Sequence, residues 1–243
     1  SGGLYGAEMV LLNLAAEQMK TGDRSVIASI GAPGEDTKPL ESEADARGIQ
    51  VEPFRFRNGP NPAGALDIMR YARTGRFDVV HTHGYKPDIL LGLMPFRVRG
   101  LPIVCTLHGW TNVRPFSKMG LYEWADGWSL QRMDAVCVVS ESMLKHPRVM
   151  RLARKKVHVI HNGISMPTGL DAALDDDIVE FCGQKATLAA IGRLSEEKGF
   201  DCLLHAFSIM LDRGLDARLL IMGDGPERSR LEGTVQRLGL HGK

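Results

Sequence analysis

Cysteine is scarce and scattered. Cys105, Cys137, Cys182 and Cys202 form no C-x-x-C pair, which argues against a zinc knuckle or redox motif and leaves buried free thiols as the expectation. No run of 18 or more apolar residues occurs, so no transmembrane helix is legible. Neither sign of charge is in excess. Lys and Arg number 30 against 29 Asp and Glu, a formal net charge of +1, which argues against an overall nucleic-acid-binding polyelectrolyte and leaves a local basic patch open. The motifs G-x-x-x-x-G-K-[ST], H-E-x-x-H and G-x-G-x-x-G are also missing. What remains is an ordinary globular composition, 44% hydrophobic and 24% charged, over 243 residues. That length suits one large domain or two small ones.

Short runs rich in Val and Ile alternate with longer amphipathic ones. Candidate strands are 25–30, 50–54, 77–81, 103–107, 134–139, 157–160, 187–191 and 218–222. Most lack period-2 alternation, as strands covered on both faces of a parallel sheet do. Helical spacing fills 7–20, 61–74, 86–97, 200–213 and 226–238. Strand–helix alternation argues an α/β fold with right-handed crossovers. The composition shifts once, from a basic stretch (Lys145 to Lys156) to an acidic one (Asp171 to Glu180). The expected division is therefore 1–165, a linker at 166–186, and 187–243. The second part holds too few strands for a covered sheet, and the glycine turn at residues 2–6 lacks the strand that would feed it. Both ends are expected to be cut short.

Chemistry gathers at strand ends. Ile191-Gly192-Arg193-Leu194-Ser195-Glu196-Glu197-Lys198-Gly199 closes one apolar strand and opens a helix. Arg193 can fork onto phosphate oxygens and Lys198 can add a point charge, or both can pair with Glu196 and Glu197 on a wet surface. Met222-Gly223-Asp224-Gly225-Pro226 makes a glycine turn at a second strand end. Gly2-Gly3-Leu4-Tyr5-Gly6 is either a plain tight turn or an anion site at a helix start. Histidines close three more strands: His81-Thr82-His83, His108-Gly109-Trp110 and His161-Asn162-Gly163. His81 and His83 share a strand face, yet no Asp, Glu or Cys nearby completes a metal set. Trp124 and Trp128 share a helical face and are expected to pack against the domain, whereas Trp110 lines a cleft. Lys145, Arg148, Arg151 and Arg154 recur at helical spacing, which would make a positive face attractive to anionic lipid unless Pro147 breaks it. Asp175-Asp176-Asp177 reads as a solvated linker.

In order, these pieces resemble the retaining glycosyltransferases of the GT-B fold, family four (glycosyl transferases group one). The resemblance rests on Gly2-Gly3 with Glu8, Asp78–His83, Thr106-Leu107-His108-Gly109, Asp134–Glu141, Val159-Ile160-His161-Asn162-Gly163-Ile164, Gly192-Arg193-Leu194 with Glu197-Lys198-Gly199, and Gly223-Asp224-Gly225-Pro226. It runs nearly end to end. It implies two Rossmann-like domains with parallel sheets, of which the first strand and most of the second domain's later half are absent here. Arg193 and Lys198 match the pair that grips the donor diphosphate. Gly2 and Gly3 match the loop that approaches donor and acceptor. His108 matches the catalytic-centre histidine that contacts the transferred sugar. His83, Trp110, Asn162, Gly163 and Gly223 are the expected cleft-lining residues, with no metal. His161 and Ser165 stand where the family usually has Pro and Asp.

The implied activity is transfer of a sugar from a nucleoside-diphosphate sugar to a glycan or lipid-linked acceptor, with retention of configuration. A nucleotide-sugar epimerase of the same fold and a non-catalytic nucleotide-sugar-binding fragment are the alternatives. The donor is a substrate, so no resident cofactor is expected. The expected partners are that donor, the acceptor and a peripheral membrane contact through Lys145 to Lys156, without nucleic acid. The expected location is the cytoplasm, including the inner face of a membrane. The segment carrying the family's paired glutamates is missing, so this chain is expected to be inactive alone.

Overall fold

The computed structural model describes residues 4, 6–57, 59, 61–109, 118–164, 175–183 and 185–243, and only the backbone of residues 118, 119, 121 and 123. The chain divides into two compact units, Ser1–Met166 and Pro167–Lys243.

The first unit runs α1 (Gly6–Lys20), β1 (Val26–Gly31), α2 (Pro39–Ala46), β2 (Gln50–Arg55), α3 (Pro62–Thr74), β3 (Val80–His83), α4 (Tyr85–Gly92), α5 (Phe96–Arg99), β4 (Ile103–Leu107), α6 (Lys118–Arg132), β5 (Ala135–Val138), α7 (Pro147–Met150) and β6 (Val157–Val159). Short 3-10 turns at Glu141–Lys145 and Arg154–Lys156 flank α7. Strands β1 and β2 pair with each other, and a second sheet has the order β3-β4-β5-β6. Every one of these pairings is parallel. The second unit runs α8 (Asp176–Gly183), β7 (Ala186–Ile191), a 3-10 turn (Glu196–Lys198), α9 (Phe200–Asp212), β8 (Ala217–Met222) and α10 (Arg228–Arg237), with β7 parallel to β8.

The larger core explains why β4 and β5 show no alternation. Ile103, Cys105 and Leu107 of β4 and Val136 and Val138 of β5 are buried with Ile68 and Met69 of α3, Leu91 of α4 and Leu130 of α6. Thr106 and Cys137, on the opposite face, are buried as well, so burial does not alternate along either strand. Strand β7 departs from that expectation, leaving Leu188 and Ile191 exposed. The cysteines are free, but only Cys105 and Cys137 are buried. Cys202 on α9 is exposed.

Several boundaries differ from the sequence expectation for local reasons. The third strand begins at Val80 rather than Phe77. The Phe77 amide turns back to Ala72 O, and Arg76 takes a positive φ of 55°, so the chain is still turning there. The helix expected over 86–97 is two, α4 and α5, because Pro95 has no N–H to continue the first and instead starts the second. The acidic junction is not a plain linker, since Asp176 and Asp177 occupy the first turn of α8, where a helix N-terminus favours anions. The basic stretch is no continuous helix face. Pro147 restarts the chain as α7, and three short turns replace one helix.

Polar groups in this core are placed with care. Arg99 is 4% exposed and donates from Nη2 to Asp134 Oδ2 and Arg132 O, each at 3.0 Å. Asp134 also accepts the Ile103 amide at 2.8 Å, so one carboxylate fixes α5 and the first residue of β4. Asp88 of α4 is fully buried. Burial pushes its carboxyl up to about 8, the Thr82 hydroxyl offsets part of that, and the nearby Asp126 adds to it.

The sign of the resulting pH dependence follows by linkage. A carboxyl raised in the folded state binds its proton there more tightly than in the unfolded chain. Its contribution is complete at pH 4 and below, and is lost as pH rises toward 8. Asp88→Asn should therefore remove part of the stability loss between about pH 4 and 8, read as a raised urea midpoint at pH 8.5 relative to the parent chain. An unchanged alkaline limb would contradict a buried, protonated Asp88.

Candidate functional site

Parallel register builds the first cluster. His83 pairs across the ladder with Thr106, which places β3's last residue beside β4's end and the His108 that follows it. His83 Nδ1 lies 2.9 Å from His108 Nε2, and the two rings stack with centroids 5.2 Å apart. His81 sits behind them, its ring 4.4 Å from that of His83 and its Nε2 2.8 Å from Thr106 Oγ1. Tyr85 Oη donates to Gly109 O at 3.4 Å, tying the start of α4 to the same turn.

All three imidazoles are held neutral. Burial pushes His83 down to about 3, with the charges of His81 and His108 adding to the effect. Burial also lowers His81 and His108, and Glu8 on the first turn of α1 opposes the shift at His108. His83 is thus less a surface group than the support behind His108, since its Nε2 is enclosed without a hydrogen-bond partner among the described residues. His161 Nδ1 lies 3.2 Å from Val139 O, and Asn162 and Gly163 are exposed at the end of β6. Gly2, Gly3 and Trp110 lie outside the described residues.

The second cluster lies in the other unit, where β7 and β8 end together, Ile191 opposite Met222. Their loops are zipped backbone to backbone. Gly192 N donates to Met222 O at 3.0 Å, Leu194 N to Asp224 O at 2.9 Å, and Glu227 N to Leu194 O at 3.0 Å. The approach is so close that a Cβ on Gly223 would stand 1.9 Å from Gly192 O, and one on Gly225 2.3 Å from Leu194 O. Only glycine fits at these two positions.

The zipped loops present the two cations. Arg193 and Lys198 are both exposed, flanking the buried Leu194 and Ser195. Lys198 ends the 3-10 turn, and Gly199 in the left-handed region (φ 68°) carries the chain straight into α9. Among the described residues Lys198 makes no ion pair. Glu197 accepts instead from the Ser195 hydroxyl at 2.6 Å, which holds its carboxyl below the ordinary range, helped by Arg193 and Lys198 at longer range. A cation beside the N-terminus of a 13-residue helix is suited to an anion. The Lys198–glutamate pairing that the sequence left open is not formed. The loop zipper was not read from the sequence, although two glycines flanking one residue at a strand end are the mark it leaves.

Known proteins agree with this architecture. Residues 5–166 match the family described as Glycosyltransferase Family 4, and residues 174–243 match Glycosyl transferases group 1. The chain belongs to glycosyltransferase family 4, and its fold is GT-B. It is 22% identical over 96% of its length to 2-deoxystreptamine glucosyltransferase of Streptomyces kanamyceticus, covering 67% of that protein. It is 26% identical over 97% of its length to 2-deoxystreptamine N-acetyl-D-glucosaminyltransferase of Streptomyces fradiae, covering 62%. The solved structure of Anabaena HepE in complex with UDP superposes at a TM-score of 0.73 with 19% identity, over 99% of this chain and 65% of that one. The chain thus spans about two thirds of the length of the relatives it matches.

Gly223→Ala and Gly225→Ala should each destabilise the second unit by about 1–3 kcal/mol, the scale of local backbone strain, in chemical denaturation. Lys198→Ala should leave the midpoint within about 0.5 kcal/mol, as an exposed substitution does. For His83 the linkage sign is opposite to that of Asp88. A folded-state value lowered to about 3 means that stability is lost as pH falls from 6.5 toward 3. His83→Phe should flatten that acid limb, and an equally steep limb in the variant would show that His83 is not the group responsible.

Proposed function

We propose that this chain carries the donor-diphosphate site and the acceptor-side domain of a retaining glycosyltransferase, which moves a sugar from a nucleoside-diphosphate sugar to a glycan or lipid-linked acceptor. The observation that carries the reading is the glycine-zipped pair of loops presenting Arg193 and Lys198 at the N-terminus of α9. A solved structure of HepE with UDP-glucose supports the same donor class. The donor is itself the substrate, so the reading calls for no resident cofactor or metal.

The chemistry follows from charge. When the glycosidic bond to the diphosphate breaks, negative charge grows on the leaving oxygens. Arg193 forks onto them, Lys198 adds a point charge, and the amides opening α9 add their dipoles. These contacts strengthen as the charge develops, so they lower the barrier rather than only the ground state. The sugar becomes oxocarbenium-like, and a cation beside it would be repelled. His108 meets that need because burial keeps its imidazole neutral, and His83 holds the ring in place. Gly2 and Gly3 would close on the donor through their backbone. Trp110, Asn162, Gly163 and Gly223 would line the cleft. The acceptor hydroxyl attacks from the same face as the departing diphosphate, whose leaving oxygen takes up the hydroxyl proton, and this gives retention. Epimerisation is the second outcome this donor site permits, and a product assay with and without acceptor distinguishes the two.

We also place the protein in the cytoplasm, in peripheral contact with the inner face of a membrane through Lys145 to Lys156. The exposed cations Lys145, Arg151, Arg154 and Lys155 support this reading.

Calorimetry with UDP tests the donor site directly. Arg193→Ala and Lys198→Ala should each weaken binding by about 1.5–3 kcal/mol, the range for a lost charged hydrogen bond. Affinity unchanged in both variants would refute the diphosphate assignment.

A further inference from the structure

The surface of α6 differs from its expected role. Its inner side buries Asp126, Ser129 and Leu130. Trp124 and Trp128, one helical turn apart, face outward at 62% and 51% exposure, with ring centroids 6.0 Å apart. They do not pack against the domain. Arg132, one turn further along, lies over the Trp128 ring at 5.4 Å. The result is a stripe of two indoles ended by a guanidinium.

The basic stretch is packed beside that stripe. Lys156 Nζ donates to Gln131 O at 3.4 Å and to Met133 O at 2.9 Å, closing the C-terminal end of α6. The Arg148 side chain passes over Gly127, between the two tryptophans in sequence. From this anchored segment Arg151, Arg154 and Lys155 reach solvent, and Met150 is 70% exposed. Among the described residues Arg132, Lys145, Arg151, Arg154 and Lys155 make no ion pair, whereas Arg55 pairs with Glu41 and Arg99 with Asp134.

We infer that the Trp124–Trp128 stripe and the cations beside it form one surface that docks on anionic phospholipid. This deepens the membrane contact proposed above by naming the residues that insert. Indole is apolar in its body and polar at its N–H, which suits the headgroup boundary of a bilayer. Cations left without carboxylate partners suit the negative potential of an anionic leaflet. A protein partner of the same area would be expected to bring acidic side chains, and a second copy of this chain would set these cations against one another.

Vesicle sedimentation and fluorescence decide the matter. The chain carrying Trp110→Phe leaves only these two indoles to report. It should sediment with phosphatidylcholine vesicles containing phosphatidylglycerol and not with phosphatidylcholine alone, and lose binding as salt rises. Lipids brominated in the acyl chain should quench its indole emission. Trp124→Ser with Trp128→Ser should lower vesicle affinity about tenfold or more while the thermal melt stays in place. Binding kept by that double variant, or no quenching in the parent, would overturn insertion by the tryptophans while the basic contact stands. No sedimentation with phosphatidylglycerol at low salt would overturn the membrane reading as well. Self-association that the double variant abolishes, without vesicle binding, would assign the surface to a second copy.

Discussion

Parallel strand pairing is the constraint on which both candidate clusters depend. A parallel ladder sends neighbouring strands out of the sheet at the same edge, so residues far apart in sequence end side by side. The pairing of His83 with Thr106 places two imidazoles 2.9 Å apart although 25 residues separate them. The pairing of Ile191 with Met222 does the same for Gly192 and Gly223. A one-residue slip in either ladder would send each side chain to the opposite face and dismantle the cluster. The core contacts of β4 and β5 oppose such a slip in the first unit, because it would withdraw Val136 and Val138 from the cluster in which they pack. Core packing is therefore the cause of site geometry here, not a background to it.

That same core holds ionisable groups whose demands oppose each other. His81 and His83 are forced neutral by burial and resist acid, while Asp88 is forced neutral by burial and resists base. Thr82 connects the two groups, since it stands between the histidines in β3 and its hydroxyl is felt by Asp88. The sheet region behind His108 is thus uncharged near neutral pH. Under the proposed function an uncharged support matters, because a positive charge on the imidazole itself would oppose the charge proposed to develop on the sugar.

The eight strands among the described residues were legible because short Val- and Ile-rich runs between turn residues have few other uses. The fold class followed from their alternation with helices. Harder to read was whatever depended on which side of an element faces the core. Trp124 and Trp128 lie at helical spacing, and spacing alone cannot tell the inner face from the outer one. Asp126 and Ser129, polar yet fully buried, occupy the inner face instead. Helix α2 is not legible because PLESEADA offers little apolar periodicity. It is held by Pro39 at its start and by Glu41, whose two oxygens receive Arg55 Nη2. At the candidate site, Arg193, Lys198 and His108 were legible as residue types at strand ends. The role of His83 behind His108 was not, because the contact exists only once the strands are paired.

Net charge illustrates the limit of composition most clearly. A balance of +1 conceals cations in three distinct states. Arg55 and Arg99 are half-buried or buried and satisfied by carboxylates, so they serve the fold. Among the described residues Lys198 stands outside such a pair, since Ser195 engages Glu197, leaving a positive group at a helix N-terminus. Among the described residues Arg151, Arg154 and Lys155 also make no ion pair, and all three are exposed on α7's flanking segments. A cation already neutralised gains little from an anionic ligand, whereas one held without a partner gains the full interaction on binding. The distribution of unsatisfied charge, more than its sum, therefore marks where anions are to be sought on this chain, the proposed diphosphate in one unit and the proposed lipid headgroup in the other.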